Sequence, residues 1–288
     1  MRWEGNRESD NVEDRRSSGG GGFIGGRSIG IGTVVVALIG WGVFGINPLT
    51  TIGMLSGGGS PQVQQQGPAQ RPPEGDRQAA FVSTVLASTE DVWAQVFSQG
   101  GAQYQVPRLV LFRGATPTAC GTGQSAMGPF YCPGDRKVYL DMDFFDTMSR
   151  QLGAPGEFAQ AYVVAHEVGH HVQTLLGTTG KVDGMRGRIS QREQNALSVR
   201  LELQADCYAG IWAHHSQQAR NWLEAGDIES AMNAAQQIGD DTLQRKQTGT
   251  VRPDAFTHGS SAQRVRWFTQ GYKTGSVQSC DTFNTSSL

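Results

Sequence analysis

Residues 28–48 constrain the fold of this chain most, because the stretch that begins SIGIGTVVVALIGWGVFGIN has no charged side chain in its first twenty residues. At a rise of about 1.5 Å per residue, a helix of that length spans about 30 Å, the thickness of the hydrocarbon core of a bilayer. The stretch shows no polar face at a period of 3.6, which argues against the alternative of a buried core helix. The sequence therefore predicts one transmembrane helix at 28–48.

The charges around this stretch predict its orientation. Arg15, Arg16 and Arg27 precede it, and no Lys or Arg follows it until Arg71. Because basic residues stay on the cytoplasmic side, residues 1–27, which are almost free of apolar side chains, are predicted to form a polar cytoplasmic tail. A cleaved signal peptide is the alternative, but no A-x-A-like site follows the stretch cleanly, so an uncleaved signal anchor with an exported C-terminal domain is favoured.

Residues 49–76 are rich in Gly, Pro and Gln and are predicted to be a flexible linker, which leaves a folded domain at 77–288. The 288-residue chain has 24 Lys plus Arg and 26 Asp plus Glu, a net charge of -2. This balance gives no electrostatic reason to bind nucleic acid. The domain is also long enough to bury a core without depending on disulfides alone.

The domain is predicted to be α+β with helices dominating. Residues 108–112 and 137–142 are short and rich in β-branched and aromatic side chains, which is typical of strands joined here by a long Gly/Pro-rich loop. Apolar spacing around 81–97 is helical and fits either one kinked helix or two short ones. Further helices are predicted at 143–151, 157–176, 190–219, 227–246 and 261–273.

Four cysteines all fall within the domain that is predicted to be exported, where disulfides form and persist. Cys120 and Cys132 flank the Gly-rich loop between the strands, so a local bridge is the natural pairing and leaves Cys207 for Cys280. The sequence alone allows three pairings, and free buried thiols are the alternative.

The motif that indicates chemistry is His166-Glu167-x-x-His170, within the apolar segment 161–171. Residues four apart lie on the same face of a helix, so both imidazoles can point at one metal ion. Glu167 can then reach a water activated by that metal, which is the position of a general base. His171 lies on a different face and is predicted to be a structural hydrogen-bonding residue.

A hydrolytic zinc site needs a third protein ligand and an open position. The segment LELQADC places Glu202 and Asp206 four residues apart in an otherwise apolar helix. Glu202 is the candidate third ligand, and Asp206 is the candidate acceptor that orients His166 through its other ring nitrogen. The alternative is a pair of exposed acids near Arg200.

These residues carry a specific resemblance. HEVGH followed by Glu202 and Asp206 resembles the gluzincin clan of zinc peptidases, to which thermolysin belongs, and ELQAD is similar to HtpX-like membrane peptidases. The chain also resembles, end to end, the YpfJ-type neutral zinc metallopeptidases of bacteria. The segments that carry this resemblance are the opening MRWEG, SDNVEDRR, the loop from CGTGQ to GPFYCP, the strand KVYLD and the motif HEVGHHVQ.

The resemblance implies a zincin-like domain in which His166, His170 and Glu202 bind one Zn²⁺ per chain and Glu167 is catalytic. Together with the predicted span and its orientation, a bacterial source predicts an inner-membrane protein with its catalytic domain in the periplasm or outside the cell. Another divalent metal remains open on ligand type alone.

Three further features fit such an enzyme. His258 precedes the last helix in a stretch that resembles the late Thr-His stretch of HtpX-like enzymes, where it could steady an oxyanion, with Arg264 as a second candidate. A surface histidine is the alternative for His258. Residues 137–141 are the candidate sheet edge to which an extended peptide adds as a strand. His214 and His215 are expected at ordinary solvated helix positions.

The sequence therefore predicts a membrane-tethered zinc metalloendopeptidase, with Glu167 as general base and a peptide or an unfolded protein as substrate. It predicts no nucleic-acid partner, and it leaves the oligomeric partner unknown. Two alternatives stay open at this point. One is a catalytically silent, zinc-stabilised binding or adaptor domain, and the other is an amidase that acts on cell-wall peptides.

Overall fold

The computed structural model describes residues 1–19, 70–124 and 128–288. The predicted transmembrane segment 28–48 and most of the predicted linker 49–76 lie outside these described residues. Within the described ranges, no helix combines the length and the apolar character that a membrane span requires.

The strands are β1 (Val12–Asp14), β2 (Arg108–Phe112), β3 (Ala115–Thr118), β4 (Gly121–Gln124), β5 (Phe130–Cys132) and β6 (Lys137–Asp141). The α-helices are α1 (Arg77–Gln99), α2 (Asp143–Arg150), α3 (Glu157–Leu175), α4 (Thr178–Asp183), α5 (Gln191–Arg220), α6 (Asp227–Gln237), α7 (Asp240–Thr248) and α8 (Ser261–Thr274). Short 3-10 helices lie at Arg16–Gly19, Pro253–Ala255 and Val277–Cys280. The described domain is therefore mainly helical α+β, as predicted.

Four strands form one sheet in the order β1, β2, β6, β5. Strands β1, β2 and β6 are parallel to one another, and β5 is antiparallel to β6. The prediction that residues 137–141 form a sheet edge is therefore wrong, because β6 is internal and has a partner strand on both sides. Val138 to Asp141 are all buried, as expected for a strand covered on both faces. The predicted long loop between β2 and β6 instead contains the β3–β4 hairpin and β5.

The helices pack closely around α3 and α5. Gly271 of α8 lies so near α5 that a Cβ atom there would be 1.9 Å from the carbonyl oxygen of Cys207, and one at Gly210 would be 2.1 Å from the carbonyl oxygen of Phe268. Only glycine allows two helix backbones to approach this closely. This contact brings α8 against the middle of α5, where the candidate site lies.

Two helical predictions are refined by the structure. The first helical region is one continuous helix, α1, which Asp76 caps by accepting a hydrogen bond from the backbone N–H of Ala79 at 3.0 Å. The helix predicted at 227–246 is two helices that break at Gly239. A Cβ atom at Gly239 would lie 2.5 Å from the backbone nitrogen of Ser261, so this break lets the start of α8 pack against the turn.

Residues 1–19 differ from the predicted polar tail, because they pack on the domain. Trp3 is 5% exposed and lies edge-to-face with Phe81 at 5.3 Å, and β1 forms one edge of the main sheet. The composition argument failed here because this segment is held mainly by ion pairs and backbone hydrogen bonds, which need few apolar side chains. The carboxylate of Glu13, for example, contacts Arg108 at 3.1 Å and Lys137 at 2.9 Å.

Both expected disulfides are present. Cys120 is bonded to Cys132, and Cys207 to Cys280, so none of the four cysteines is free. The first bridge ties the β3–β4 hairpin to β5. The second ties the C-terminal segment to α5, one residue after Asp206.

Candidate metal centre

Helix α3 carries the HExxH motif and is buried along most of its length. A Cβ atom at Gly169 would lie 3.0 Å from the carbonyl oxygen of Ala205 and 3.1 Å from its Cα. A larger residue between the two histidines of the motif would therefore push α5 away. The close approach brings the side chains of α5 within reach of those of α3.

His166, His170 and Glu202 meet at this crossing. Nε2 of His166 lies 3.1 Å from Oε2 of Glu202, and Nε2 of His170 lies 3.5 Å from Oε1 of the same carboxylate. One ligand atom from each residue falls within 4.8 Å of the others. Two imidazole nitrogens and a carboxylate oxygen are a donor set that binds zinc in hydrolytic sites. The structure thus brings together the three residues that the sequence analysis selected.

The other ring nitrogens of both histidines already have partners. Nδ1 of His166 lies 2.8 Å from Oδ1 of Asp206, and Nδ1 of His170 lies 2.9 Å from Oε1 of Gln173. Both partners are acceptors, so each Nδ1 donates its proton to one of them and each Nε2 is directed toward Glu202. The two imidazoles are therefore oriented so that Nε2 can bind a metal ion once its own proton is released.

Asp206 belongs to a fully buried cluster with Arg264 and Tyr162. The guanidinium of Arg264 donates from Nε to Oδ2 of Asp206 at 2.9 Å and from Nη2 to Oδ1 at 2.9 Å, which is a bidentate pair. Tyr162 donates its hydroxyl hydrogen to the same Oδ1. Arg264, a candidate for steadying an oxyanion, instead fixes Asp206 and does not line the cleft beside the metal ligands.

The charges of this centre perturb one another. Burial raises the pKa of Asp206, but Arg264 and His166 outweigh it and lower the pKa to about 2. Burial lowers the pKa of His166, but Asp206 and Glu202 outweigh it and raise the pKa to about 10. Burial also raises the pKa of the half-buried Glu202, but His170, His258 and His166 outweigh it and lower the pKa well below the ordinary value. The carboxylates are therefore ionised at neutral pH, as metal ligands and their supports must be.

Glu167 differs from the other acids of the site. It is 8% exposed, and among the described residues none donates a hydrogen bond to its carboxylate. Burial raises the pKa of Glu167, and the charges of His170 and His166 only partly oppose this effect. A carboxylate with a raised pKa and no fixed donor is suited to exchange a proton with a bound molecule.

An open cleft of about 290 Å³ extends from His170 and Glu202. Its remaining walls come from α4, from the turn that follows it, from the first turns of α5 and from the Thr257-His258 stretch. The lining mixes apolar and polar side chains, including Val182, Ile189, Leu197, Leu201, Asn195 and Ser198. Two of the three candidate metal ligands, His170 and Glu202, are thus accessible from one side.

His258 lines this cleft and is held by Asp240. Oδ2 of Asp240 accepts hydrogen bonds from the backbone N–H groups of Thr257 (2.7 Å), His258 (2.6 Å) and Gly259 (3.0 Å), which fixes the turn. Nδ1 of His258 lies 3.4 Å from Oδ1 of Asp240 and 2.9 Å from the hydroxyl of Thr257. Burial lowers the pKa of His258, but Glu202 and Asp240 outweigh it and raise the pKa above the ordinary value.

The remaining histidines make structural hydrogen bonds. His171 lies 3.1 Å from the hydroxyl of Tyr131 and donates from Nε2 to the carbonyl of Gln105 at 2.6 Å. His214 and His215 are not simply solvated, as the sequence suggested. They are half-buried, and they donate to carbonyl oxygens at the C-terminal end of α8, at 2.7 Å and 2.8 Å.

Sequence reasoning missed two residues of this centre, Gln173 and Tyr162. Gln173 lies three residues after His170 on the same helix, a spacing that could have identified it as a partner of that imidazole. Tyr162 lies four residues before His166, on the same face. Its contact with Asp206 depends on how α3 and α5 cross, which the sequence does not show.

Comparisons with known proteins agree with this geometry. Residues 1–283 match the family described as "Putative neutral zinc metallopeptidase". The chain is 52% identical over 293 residues to "Uncharacterized protein YpfJ" of Escherichia coli K12, covering 99% of this chain and 100% of that protein. It is 46% identical over 197 residues to "Uncharacterized protein Rv2575" of Mycobacterium tuberculosis H37Rv, covering 64% of this chain and 65% of that protein. No solved structure matches the chain significantly.

Proposed function

Because the chain belongs to the neutral zinc metallopeptidase family, we propose that it is a zinc-dependent endopeptidase whose zincin-like centre is formed by α3 and α5. The observation that carries this proposal is the convergence of His166, His170 and Glu202 within 4.8 Å, with Glu167 on the same helix as the two histidines. Family membership alone would not identify an active site. The three donor atoms and the buried carboxylate of Glu167 on the same helix supply its parts.

The residues present fit one zinc ion per chain. Both Nε2 atoms face Glu202, and each Nδ1 is occupied by an acceptor, so the donor set is oriented before any metal binds. When bound, zinc would polarise the scissile carbonyl and make a water molecule more acidic. Three protein ligands leave a further position open, as catalytic zinc sites require.

Glu167 serves as the general base in this proposal. Its carboxylate accepts a proton from the attacking water and then delivers it to the amine of the leaving peptide. The raised pKa supports this role, because a group that must both accept and release a proton works best when its pKa is close to the working pH. Glu202, whose pKa is well below its ordinary value, could not perform this exchange.

His258 is the proposed donor to the oxyanion that forms on the substrate carbonyl. It lines the same cleft as Glu202 and His170, and Asp240 both orients its ring and raises its pKa, so the ring carries a donor hydrogen. A preorganised donor of this kind stabilises the transition state more than the substrate. Arg264 has no part in this step because its guanidinium is committed to Asp206.

The substrate backbone is proposed to bind along β5. Among the described strands, β5 is an edge of the main sheet, and Tyr131 contacts His171 of the active-site helix with ring centres 5.5 Å apart. An extended peptide can pair with such an edge through backbone hydrogen bonds, which suits an unfolded protein segment. This assignment replaces the one based on residues 137–141.

A single assay tests the proposal. The full chain, including residues 1–19, is loaded with zinc, incubated with an unstructured protein and analysed for new N-termini beside the Glu167→Gln variant. We expect cleavage by the unaltered protein and a loss of about 10²- to 10⁴-fold in the variant, with equal zinc content in both. Equal cleavage by both proteins would exclude Glu167 as the base. Zinc binding without cleavage by either would favour the adaptor alternative, and release of cell-wall peptides alone would favour the amidase.

A further inference from the structure

The N-terminal segment, residues 1–19, meets the far end of the predicted linker at the edge of the main sheet. The backbone N–H of Asp14 donates to the carbonyl of Gln70 at 2.7 Å. Arg16 forms an ion pair with Asp76, the capping residue of α1, at 2.7 Å. The predicted transmembrane segment 28–48 lies between these two points in the chain, and yet the points are in direct contact.

A buried carboxylate fixes the N-terminal segment to the sheet. The side chain of Glu13 is 7% exposed and contacts Lys137 at 2.9 Å, Arg108 at 3.1 Å and Arg15 at 2.8 Å. Burial alone would raise the pKa of Glu13, but the hydrogen bonds from these three cations outweigh it and lower the pKa. Lys137 and Arg108 begin β6 and β2, so a single side chain of the N-terminal segment joins both strands.

A second buried carboxylate, Glu90, fixes the same segment to α1. It accepts hydrogen bonds from the hydroxyl of Ser9 at 2.5 Å, from Nδ2 of Asn11 at 2.8 Å and from Arg7 at 3.1 Å. Every hydrogen bond that the structure describes for the Glu90 carboxylate comes from the N-terminal segment. Glu90 is 6% exposed, so removal of the segment would leave an acid on α1 without its partners.

These contacts conflict with a single crossing of the membrane. One passage through residues 28–48 would place residues 1–27 and 49–288 on opposite sides of an apolar layer about 30 Å thick. A backbone hydrogen bond of 2.7 Å between Asp14 and Gln70 cannot extend across that layer. Arg15 and Arg16, whose charges predicted a cytoplasmic N-terminus, are paired with acids inside the fold.

We infer that the N-terminal segment is an integral part of the catalytic domain and lies on the same side of any membrane as residues 70–288. Its docking surface consists of the edge of β2, the N-terminal end of β6 and the Glu90 face of α1, and its occupant is residues 2–16 of the same chain. The predicted orientation, with a cytoplasmic N-terminus and an exported domain, is replaced by this one-sided arrangement. Residues 28–48 can still attach the chain to a membrane, but they do not separate its two described parts.

Site-directed labelling tests this arrangement in the full chain inside bacterial cells. All four native cysteines are in disulfides, so a single new cysteine gives a clear signal. Glu8→Cys reports on the N-terminal segment and Ala219→Cys on the domain, and both positions are exposed. We expect a membrane-impermeant maleimide to label both before permeabilisation or both only afterwards. Labelling of one before and the other only after permeabilisation would overturn the inference.

A stability measurement tests the contact itself. In the purified full chain, Glu13→Gln removes the charge that Lys137, Arg108 and Arg15 neutralise, and it should lower the melting temperature by roughly 5 to 10 °C. Glu8→Gln, at an exposed position of the same segment, is the control and should change it by less than about 2 °C. Equal melting temperatures for both variants would show that the N-terminal segment does not dock.

Discussion

Nδ1 of the His170 imidazole lies 2.9 Å from Oε1 of Gln173, one helical turn further along α3. The amide of Gln173 is itself fixed, because its Nε2 donates to the carbonyl of Leu201 at 2.7 Å and to Oε1 of Gln204 at 3.1 Å. This chain of contacts holds the imidazole with Nε2 directed toward Glu202. A residue outside the three candidate metal ligands thus determines how one of them points.

Replacement of Gln173 by Ala should weaken zinc binding by roughly 10- to 100-fold, because His170 loses the acceptor that selects its tautomer and ring orientation. Competition with a chromophoric chelator measures the affinity without relying on activity. Gln160→Ala, at a half-buried position near the start of the same helix, is the control for a general change in α3. An unchanged affinity in Gln173→Ala would show that the surrounding core alone orients His170.

Glu202→Gln should lower the zinc affinity by at least about 100-fold. The change keeps the shape of the side chain but removes the negative charge that faces Nε2 of both His166 and His170. Metal content after dialysis against a chelator measures the loss, with Glu229→Gln on the exposed face of α6 as the control. Full zinc occupancy in Glu202→Gln would mean that Glu202 is not the third ligand.

Arg264→Met should lower the free energy of unfolding by about 3 to 5 kcal/mol. Asp206 is fully buried, and its bidentate partner would be lost while its charge remained. Chemical denaturation of the metal-free protein gives the value. Arg266→Met, two residues later on the exposed face of α8, should change it by less than about 0.5 kcal/mol. Similar losses of unfolding free energy in the two variants would contradict the conclusion that the Arg264–Asp206 pair stabilises the fold.

Acid should destabilise the metal-free protein partly through Asp206. Its pKa falls from an ordinary value of 3.8 to about 2 on folding, so the ionised form stabilises the native state above pH 4. That contribution, roughly 2 to 3 kcal/mol, is lost as the pH falls from about 4 to 2. Unfolding free energies measured between pH 7 and pH 2 would show the decrease. The Asp206→Asn variant, which starts from a lower stability, should lack this part of the pH dependence.

The local pattern of the sequence was sufficient to predict which residues lie together when both residues belong to the same helix. His166 and His170 are four residues apart on α3, and Glu202 and Asp206 are four apart on α5, so helical geometry alone places each pair on one face. The apolar spacing that surrounds them predicted both helices to within two residues at each end. The resemblance of the motifs to a peptidase family is confirmed by a match over residues 1–283.

Contacts between different helices and strands could be identified only from the tertiary structure. Residues 137–141 looked like an edge strand, but pairing on both sides depends on where β2 and β5 lie. Arg264 looked like a candidate for the cleft, but the crossing of α8 over α5 at Gly271 turns it toward Asp206. Neither outcome follows from the residues within a single element.

The sequence by itself determined the metal-ligand pattern and the mainly helical class, because these depend on spacing along the chain and on side-chain chemistry. It favoured the observed cysteine pairs, but only the structure selected them among the three possible pairings. Only the tertiary structure decided that the charged N-terminal segment belongs to the domain. Composition measures how much apolar surface a segment can bury, and by that measure residues 1–19 had little reason to fold. Glu13 and Glu90 stabilise the segment through cations and donors more than seventy residues away in sequence, and such pairing exists only once the fold has brought them together.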